Sequence, residues 1–367
     1  MFEYDYLVVG AGLTGCVFAH EMTKRGKKVL VVDRRSYVGG NCHSVKMNGI
    51  DVHEHGAHIF RTNDIETVRY LEQFTELTPF VNTPIAINGD VSLNLPLNMN
   101  TFAKLWGVIT PAQARAKLDE VTEPYKRREI KSIEDFVLAT VGKELFELVF
   151  KDYTEKQWGH KCSELPKELM SYIPIRLTYD NSYFNEKYTF VPSDGYESMF
   201  DSMLKGVDVY LNCNALATPS VFAMAKKVVY TGRIDEFFEC CYGPLEYRSL
   251  LLEHKVLPDV NDFQGVAVTN HTGSDVPFTR IIEHSHFVKA SPVGGTVITY
   301  ETPIPYTGKT EPYYPVNDEK NNELYMKYKA LADKESNVIF AGRFGTYTFD
   351  NMNTALKRAI LLAQEVM

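Results

Sequence analysis

Two glycine-rich segments at opposite ends of the chain constrain its fold more than anything between them. Near the N-terminus, Tyr6-Leu-Val-Val-Gly10-Ala-Gly12-Leu-Thr14-Gly15 runs from an apolar strand into Gly-x-Gly-x-x-Gly, and near the C-terminus stands Val338-Ile-Phe-Ala-Gly342-Arg343. The first continues through helix-compatible Cys16 to Lys24 into a second apolar strand, Lys28-Val-Leu-Val-Val-Asp33. Strand, glycine turn, helix and a second strand ending in an acid make up a nucleotide-binding βαβ unit. The turn needs Gly10, a pyrophosphate at the helix N-terminus needs bare backbone at Gly12, and close packing of helix on strand needs Gly15. Asp33 ends the second strand where a carboxylate accepts a ribose hydroxyl. Glycines also serve ordinary turns, so the register of all four parts carries the reading.

Arg34-Arg35-Ser-Tyr-Val-Gly39-Gly40-Asn41 follows at once. Its paired glycines let more backbone approach an extended diphosphate. Gly342-Arg343 closes over the same cofactor from the far end of the chain, with a helix beginning near Asn353 offering its N-terminal dipole. Both features favour FAD over NAD.

The 367 residues are long for one core and suggest two or three domains. A net charge of −8 argues against nucleic acid as the main partner. No apolar run is long enough to span a bilayer, and the strand beginning at Tyr4 leaves no room for a basic-then-apolar leader, which points to the cytoplasm. Six cysteines without a Cys-x-x-Cys pair read as reduced thiols. From Asn100 to Trp158 the pattern is helical. Thr110-Pro111-Ala-Gln113 and Ser132-Ile-Glu-Asp135 have the form of helix starts, and Leu145, Leu148 and Val149 share a helical face. From Phe263 to Tyr300, β-branched residues alternate with polar ones around Gly294-Gly295, which predicts antiparallel strands and a turn. The expected fold class is α/β. A Rossmann-like FAD-binding domain (1–80, 193–242, 335–367) carries a helical insertion (98–172) and an antiparallel sheet domain (81–97, 173–192, 243–334).

Six further stretches lie in order along the chain: Gly56-Ala-His58-Ile-Phe60, Asn94-Leu-Pro-Leu-Asn-Met-Asn-Thr-Phe102, Tyr153-Thr-Glu-Lys-Gln-Trp158-Gly, Leu245-Glu-Tyr-Arg248-Ser, Arg280-Ile-Ile-Glu-His284 and Glu311-Pro-Tyr-Tyr314-Pro-Val-Asn-Asp318. Together they resemble the bacterial UDP-galactopyranose mutases. The resemblance implies a three-domain flavoprotein isomerase that interconverts pyranose and furanose forms of a nucleotide-linked galactose. Reduced FAD would attack the anomeric carbon through N5, giving a flavin–sugar adduct and no net redox change. Such chemistry calls for arginines and tyrosines around a leaving diphosphate rather than a catalytic triad.

The resemblance places Arg280 on the diphosphate, Tyr183 and Tyr314 as hydroxyl donors to phosphate, and Tyr153 and Trp158 at the base and nucleoside. Asn82, Asn270, Tyr172, Arg176 and Phe349 complete the substrate contacts. His58 lies beside the flavin. Thr14, Arg34, Gly40, Asn41, Arg248, Gly342, Arg343, Asn351 and Met352 join Gly10, Gly12, Gly15 and Asp33 on the cofactor. The implied partner is the nucleotide-diphosphate sugar. Whether the chain forms a homodimer is left open.

Four positions depart from the family pattern. Arg61 replaces a histidine, Tyr172 replaces an arginine of a loop that closes over the diphosphate, Phe349 replaces a tyrosine and Asn351 an aspartate. One lost charged hydrogen bond costs about 1.5 to 3 kcal/mol. Arg61 therefore reads as a substitute phosphate contact or as part of a reshaped sugar pocket, in both cases a catalytic-site residue, and the substrate shifts toward an N-acetylgalactosamine or fucose nucleotide. The plain alternative is a solvated Arg61 in a weak conventional mutase. Two other classes use the same architecture: amine-oxidase-type oxidoreductases, and a non-catalytic nucleotide-sugar sensor. Alternating His53 and His55 with His58 or His43 suggest a metal site, but no carboxylate or cysteine framework completes one, so no metal is expected.

Overall fold

The computed structural model describes residues 2–127, 129–170, 172–287 and 294–366. Strands Tyr4–Val9 and Val29–Val32 pair in parallel, with helix Leu13–Lys24 between them in sequence. Every residue of Val29–Val32 is buried, as a strand covered on both faces requires. Three strands from distant parts of the chain complete a parallel sheet in the order Asp208–Tyr210, Val29–Val32, Tyr4–Val9, Ala225–Tyr230, Val338–Phe340. Helix Met352–Glu365 buries Leu356, Ala359 and Ala363 in one cluster with Cys16, Val17 and Ala19 of helix Leu13–Lys24. The C-terminal helix is thereby fixed over the N-terminal one.

A second sheet has seven strands, in the order Pro312–Pro315, Tyr247–Leu257, Thr296–Pro305, Arg280–Glu283, Val268–His271, Ile85–Asn88, Val91–Asn94. It is not wholly antiparallel: Val268–His271 runs parallel to Ile85–Asn88. A parallel pair needs a long crossover, and the helical insertion provides it. Strand Tyr188–Pro192 lies outside this sheet and pairs instead with Phe60–Thr62 and Leu77–Pro79. Gly295 immediately precedes strand Thr296–Pro305, whereas 288–293 fall outside the described residues.

The helical layer comprises Met99–Trp106, Pro111–Thr122, Ile133–Leu145 and Lys151–Trp158. Thr110 with Gln113, and Ser132 with Asp135, form reciprocal capping boxes. Phe146–Phe150 is a π-helical turn that leads into Lys151–Trp158, and Leu145 and Val149 are buried there while Leu148 packs at the edge of the same cluster. Gly159 then ends the last helix in the left-handed region, at φ 74°.

Candidate active site

A cavity opens at the C-terminal edge of the parallel sheet. Gly10, Gly12, Thr14, Gly15, Asp33, Arg34, Gly40, Asn41, His58, Gly342, Arg343 and Met352 all line it. The glycines differ in what they exclude. A Cβ on Gly10 would lie 2.1 Å from Thr231 Oγ1, and one on Gly15 would lie 1.9 Å from the Gly10 carbonyl oxygen. A Cβ on Gly12 would meet nothing nearer than Gly40 Cα at 3.8 Å, so the protein itself has room for it. Helix Leu13–Lys24 begins at Gly12 without a side-chain cap, which leaves its first N–H groups for an anion. Asp33 accepts hydrogen bonds from Ala11 N (2.7 Å) and Arg35 N (2.8 Å), which fix its carboxylate at the cavity wall. An uncapped helix start, bare backbone and an anchored acid suit a dinucleotide.

Arg343 donates to the carbonyls of Tyr313 and Asp350, both at 2.6 Å, and so ties the C-terminal segment across the cavity. Two expected cofactor residues lie elsewhere. Asn351 does not line the cavity; its side chain accepts from Thr354 N and caps the C-terminal helix. Arg248 is 9% exposed, donates through Nε to Gln157 O at 3.0 Å, and lies on the cleft side with Tyr314.

The cleft is built where helix Lys151–Trp158 meets the seven-stranded sheet. Gln157 Nε2 donates to Tyr314 Oη, and Tyr314 stands edge-on to Trp158 (6.3 Å) and to Phe349 (6.0 Å). Arg280 begins its strand directly opposite Asn270 on one neighbour and Glu301 on the other. Its Nε and Nη2 both donate to Glu301 Oε1, the Nε bond being 2.8 Å. Glu301 is fully buried, and its second oxygen has no partner. Burial acts to lower the Arg280 pKa, but Glu301, Tyr153 and Tyr314 outweigh it and the guanidinium is held above its usual range. The same burial pushes the Tyr153 hydroxyl up to about 12, so it remains a donor.

His58 joins cavity and cleft. Its Nδ1 pairs with Gly56 O at 2.6 Å, while burial, Arg343 and Arg280 push its pKa down to about 4. The imidazole is neutral at pH 7, and its Nδ1 hydrogen bond leaves Nε2 as the acceptor. The other histidines spend their ring nitrogens separately: His53 Nδ1 on His58 N, and His55 on Tyr37 and Tyr313.

A second group of expected substrate residues gathers around the 180–187 segment. Asn82 is 7% exposed, its carbonyl accepts from Tyr183 N, and its Oδ1 has no partner. Arg176 is committed to the Ser182 and Tyr183 carbonyls and to Asn185 Oδ1, and so braces this segment. Arg61 pairs with Glu186 at 3.1 Å and lies 4.7 Å over the Phe184 ring. It is thus neither freely solvated nor an uncommitted cation. Tyr172 and Phe349 are 67% and 65% exposed.

Sequence reasoning missed Glu301 and Gln157. Thr296–Pro305 reads as a strand with its first residues buried, and an acid inside such a strand calls for a cation; that signal was available. Gln157 lies within the stretch Tyr153 to Trp158, but its contact with Tyr314 joins distant segments.

Fold and cavity together define a dinucleotide-binding α/β protein whose cofactor cavity adjoins a cationic, tyrosine-lined cleft. A UDP-galactopyranose mutase family model matches residues 148–349, and an NAD(P)-binding Rossmann-like domain matches residues 8–74. The chain is 34% identical over 372 residues to a probable UDP-galactopyranose mutase of Klebsiella pneumoniae, covering 99% of this chain and 94% of that protein. It is 30% identical over 367 residues to a dTDP-fucopyranose mutase of Escherichia coli, covering 98% and 97%. A solved reduced UDP-galactopyranose mutase shares the fold with a TM-score of 0.77 at 14% identity, over 99% and 95% of the two chains. A putrescine oxidase shares it more distantly, with a TM-score of 0.55 at 12% identity over 99% and 98%.

The chain belongs to the UDP-galactopyranose mutase family and is an isomerase. Membership together with the Rossmann-like domain implies a flavin-type cofactor. Among the described residues, no helix is long and apolar enough to cross a membrane.

Proposed function

We propose that this enzyme binds FAD and, with the flavin reduced, interconverts the pyranose and furanose forms of a galactose-type sugar carried on a nucleoside diphosphate. The observation that carries this reading is Arg280, braced by buried Glu301 and electrostatically coupled to His58 on the cavity side and to Tyr153 and Tyr314 on the cleft side. A diphosphate held there lies beside the flavin. Bound and reduced, the flavin supplies a nucleophilic N5 for the anomeric carbon. Arg280 offsets charge on the departing diphosphate, with the Tyr314 and Tyr183 hydroxyls as further donors. Trp158 and Tyr153 present flat apolar surface and a hydroxyl to the nucleoside. Neutral His58 accepts a hydrogen bond at Nε2 without adding charge.

The similarity to proteins named for UDP-galactopyranose and for dTDP-fucopyranose leaves two sugars in view. Arg61, Tyr172 and Phe349 favour a second reading in which a related sugar, N-acetylated or deoxy, is preferred. For Arg61 to reach substrate it must leave Glu186, and a partly exposed pair of that kind is worth on the order of 1 kcal/mol. The exchange is energetically modest.

Incubating dithionite-reduced protein with UDP-galactopyranose, UDP-N-acetylgalactosamine and dTDP-fucopyranose, and separating pyranose from furanose products, tests both readings. Furanose product from reduced protein alone, without oxygen uptake, is the expected result. No isomerised product from any of the three, or oxygen-consuming turnover of an amine, refutes the proposal.

A further inference from the structure

Lys156 projects from helix Lys151–Trp158 into the turn joining strands Val268–His271 and Arg280–Glu283. Its ammonium donates to four backbone carbonyls of that segment: His271 (2.9 Å), Gly273 (2.7 Å), Val276 (3.2 Å) and Phe278 (3.0 Å). An ammonium has three protons, so four acceptors at these distances use every one of them, with at least one shared between two carbonyls. Four carbonyl dipoles aimed at one point repel one another unless a cation sits there, and rings of backbone carbonyls are how proteins hold a dehydrated monovalent cation. Burial lowers the Lys156 pKa, with Asp275 and Asp152 opposing it.

The turn carries cleft residues at both ends. Asn270 precedes its first caged carbonyl, and Arg280 lies two residues beyond its last. The helix carries Tyr153, Gln157 and Trp158 within one turn of Lys156. We propose that Lys156 is a positioning residue whose ammonium, caged by the turn carbonyls, sets the separation between the helix that receives the nucleoside and the strand that receives the diphosphate. This rests on the function proposed above.

The substitutions Lys156→Ala and Lys156→Met test it, with UDP as probe, bound to flavin-loaded protein and followed by intrinsic tryptophan fluorescence. Lys156→Ala should retain flavin but bind UDP at least tenfold more weakly. Ethylammonium or potassium at tens of millimolar should restore most of the affinity, whereas tetramethylammonium, which has no N–H and is too large for the cage, should not. Lys156→Met keeps the aliphatic stem and leaves less room for an added cation, so it should be as weak as the alanine variant and less readily rescued. If Lys156→Ala is poorly folded, the methionine variant alone still decides: UDP affinity within twofold of the unaltered protein overturns the proposal. Weakened binding in the alanine variant that no small cation restores overturns it as well. The same titrations run with dTDP cover the second reading, and failure of the unaltered protein to bind either UDP or dTDP would refute the proposed function instead, which separates the two.

Discussion

Replacing Glu301 by glutamine keeps the shape of the side chain and removes one charge. In the structure Glu301 Oε1 receives both Arg280 donors, and the second oxygen, close to the Gly56 backbone, receives none. The glutamine oxygen can replace Oε1, but its NH₂ then occupies the unpartnered position as a buried donor without an acceptor. Hydrogen bonds to charged groups are worth about 1.5–3 kcal/mol against about 1 for neutral ones, and an unmet buried donor costs about 1–3 kcal/mol. If about 1.5–3 kcal/mol of that falls on the orientation of Arg280 in the transition state, kcat drops about tenfold to hundredfold, at about 1.4 kcal/mol per decade. KM should not rise, because the cleft becomes one charge more positive toward a diphosphate. The assay is chromatographic separation of pyranose and furanose nucleotide sugars under dithionite, with flavin content measured on the same sample. A kcat within twofold of the unaltered enzyme, or a higher KM at unchanged kcat, would show that Glu301 does not hold Arg280 for catalysis.

Four other outcomes are expected. Gly12→Val should fold but lose the yellow cofactor, since its Cβ is excluded only by what occupies the cavity; Gly15→Ala, which meets the Gly10 carbonyl, should instead lower the melting temperature. Full flavin occupancy in Gly12→Val would contradict this placement of the pyrophosphate. Glu186→Gln frees Arg61 and should change the ratio of kcat/KM between UDP-galactopyranose and its N-acetylated or deoxy relatives, as should Arg61→His; identical ratios in both variants would leave Arg61 without a role in specificity. His53, His55, His58 and His284 are all depressed by burial, the last three to about 3, 4 and 3 respectively. The unfolded chain, with histidine near about 6.5, binds more protons below that pH, so their share of stability is constant above it and falls as pH drops toward about 4. His286, raised through its hydrogen bond to Glu283, acts oppositely and loses its share as pH rises. Melting temperature against pH should fall less steeply in His284→Gln, and an unchanged slope would remove that histidine from the account.

The parts legible in the sequence are local. Gly10, Gly15 and Asp33 act within a βαβ unit whose spacing is set by one strand and one helix, and the capping boxes at Thr110 and Ser132 are four-residue patterns. The parts not legible are pairings across the chain. Arg61 is 125 residues from Glu186, and Gln157 is 157 from Tyr314, so no periodicity announces either contact. The resemblance alone puts Arg248 on the cofactor, and no local pattern could correct it, because its pairing with Tyr314 across strands, which sets it beside the cleft residues, joins distant segments. The parallel junction of Ile85–Asn88 with Val268–His271 was hidden for the same reason, since each strand looks the same whichever way its neighbour runs.

The order in which a ribosome delivers this chain sets when its cofactor site exists. Strand Ala225–Tyr230 has Tyr4–Val9 on one side from the moment it emerges, but its other neighbour, Val338–Phe340, belongs to the C-terminal segment that also brings Gly342, Arg343 and the helix laid over Leu13–Lys24. At about 5–20 residues per second, that edge waits for on the order of ten seconds, exposed and apolar. The growing chain therefore displays a half-built nucleotide cradle until the segment from Val338 onward has emerged. A chain cut just before Val338 would keep Tyr153, Trp158, Arg280 and Tyr314 but lack Gly342, Arg343 and Met352 at the cavity wall.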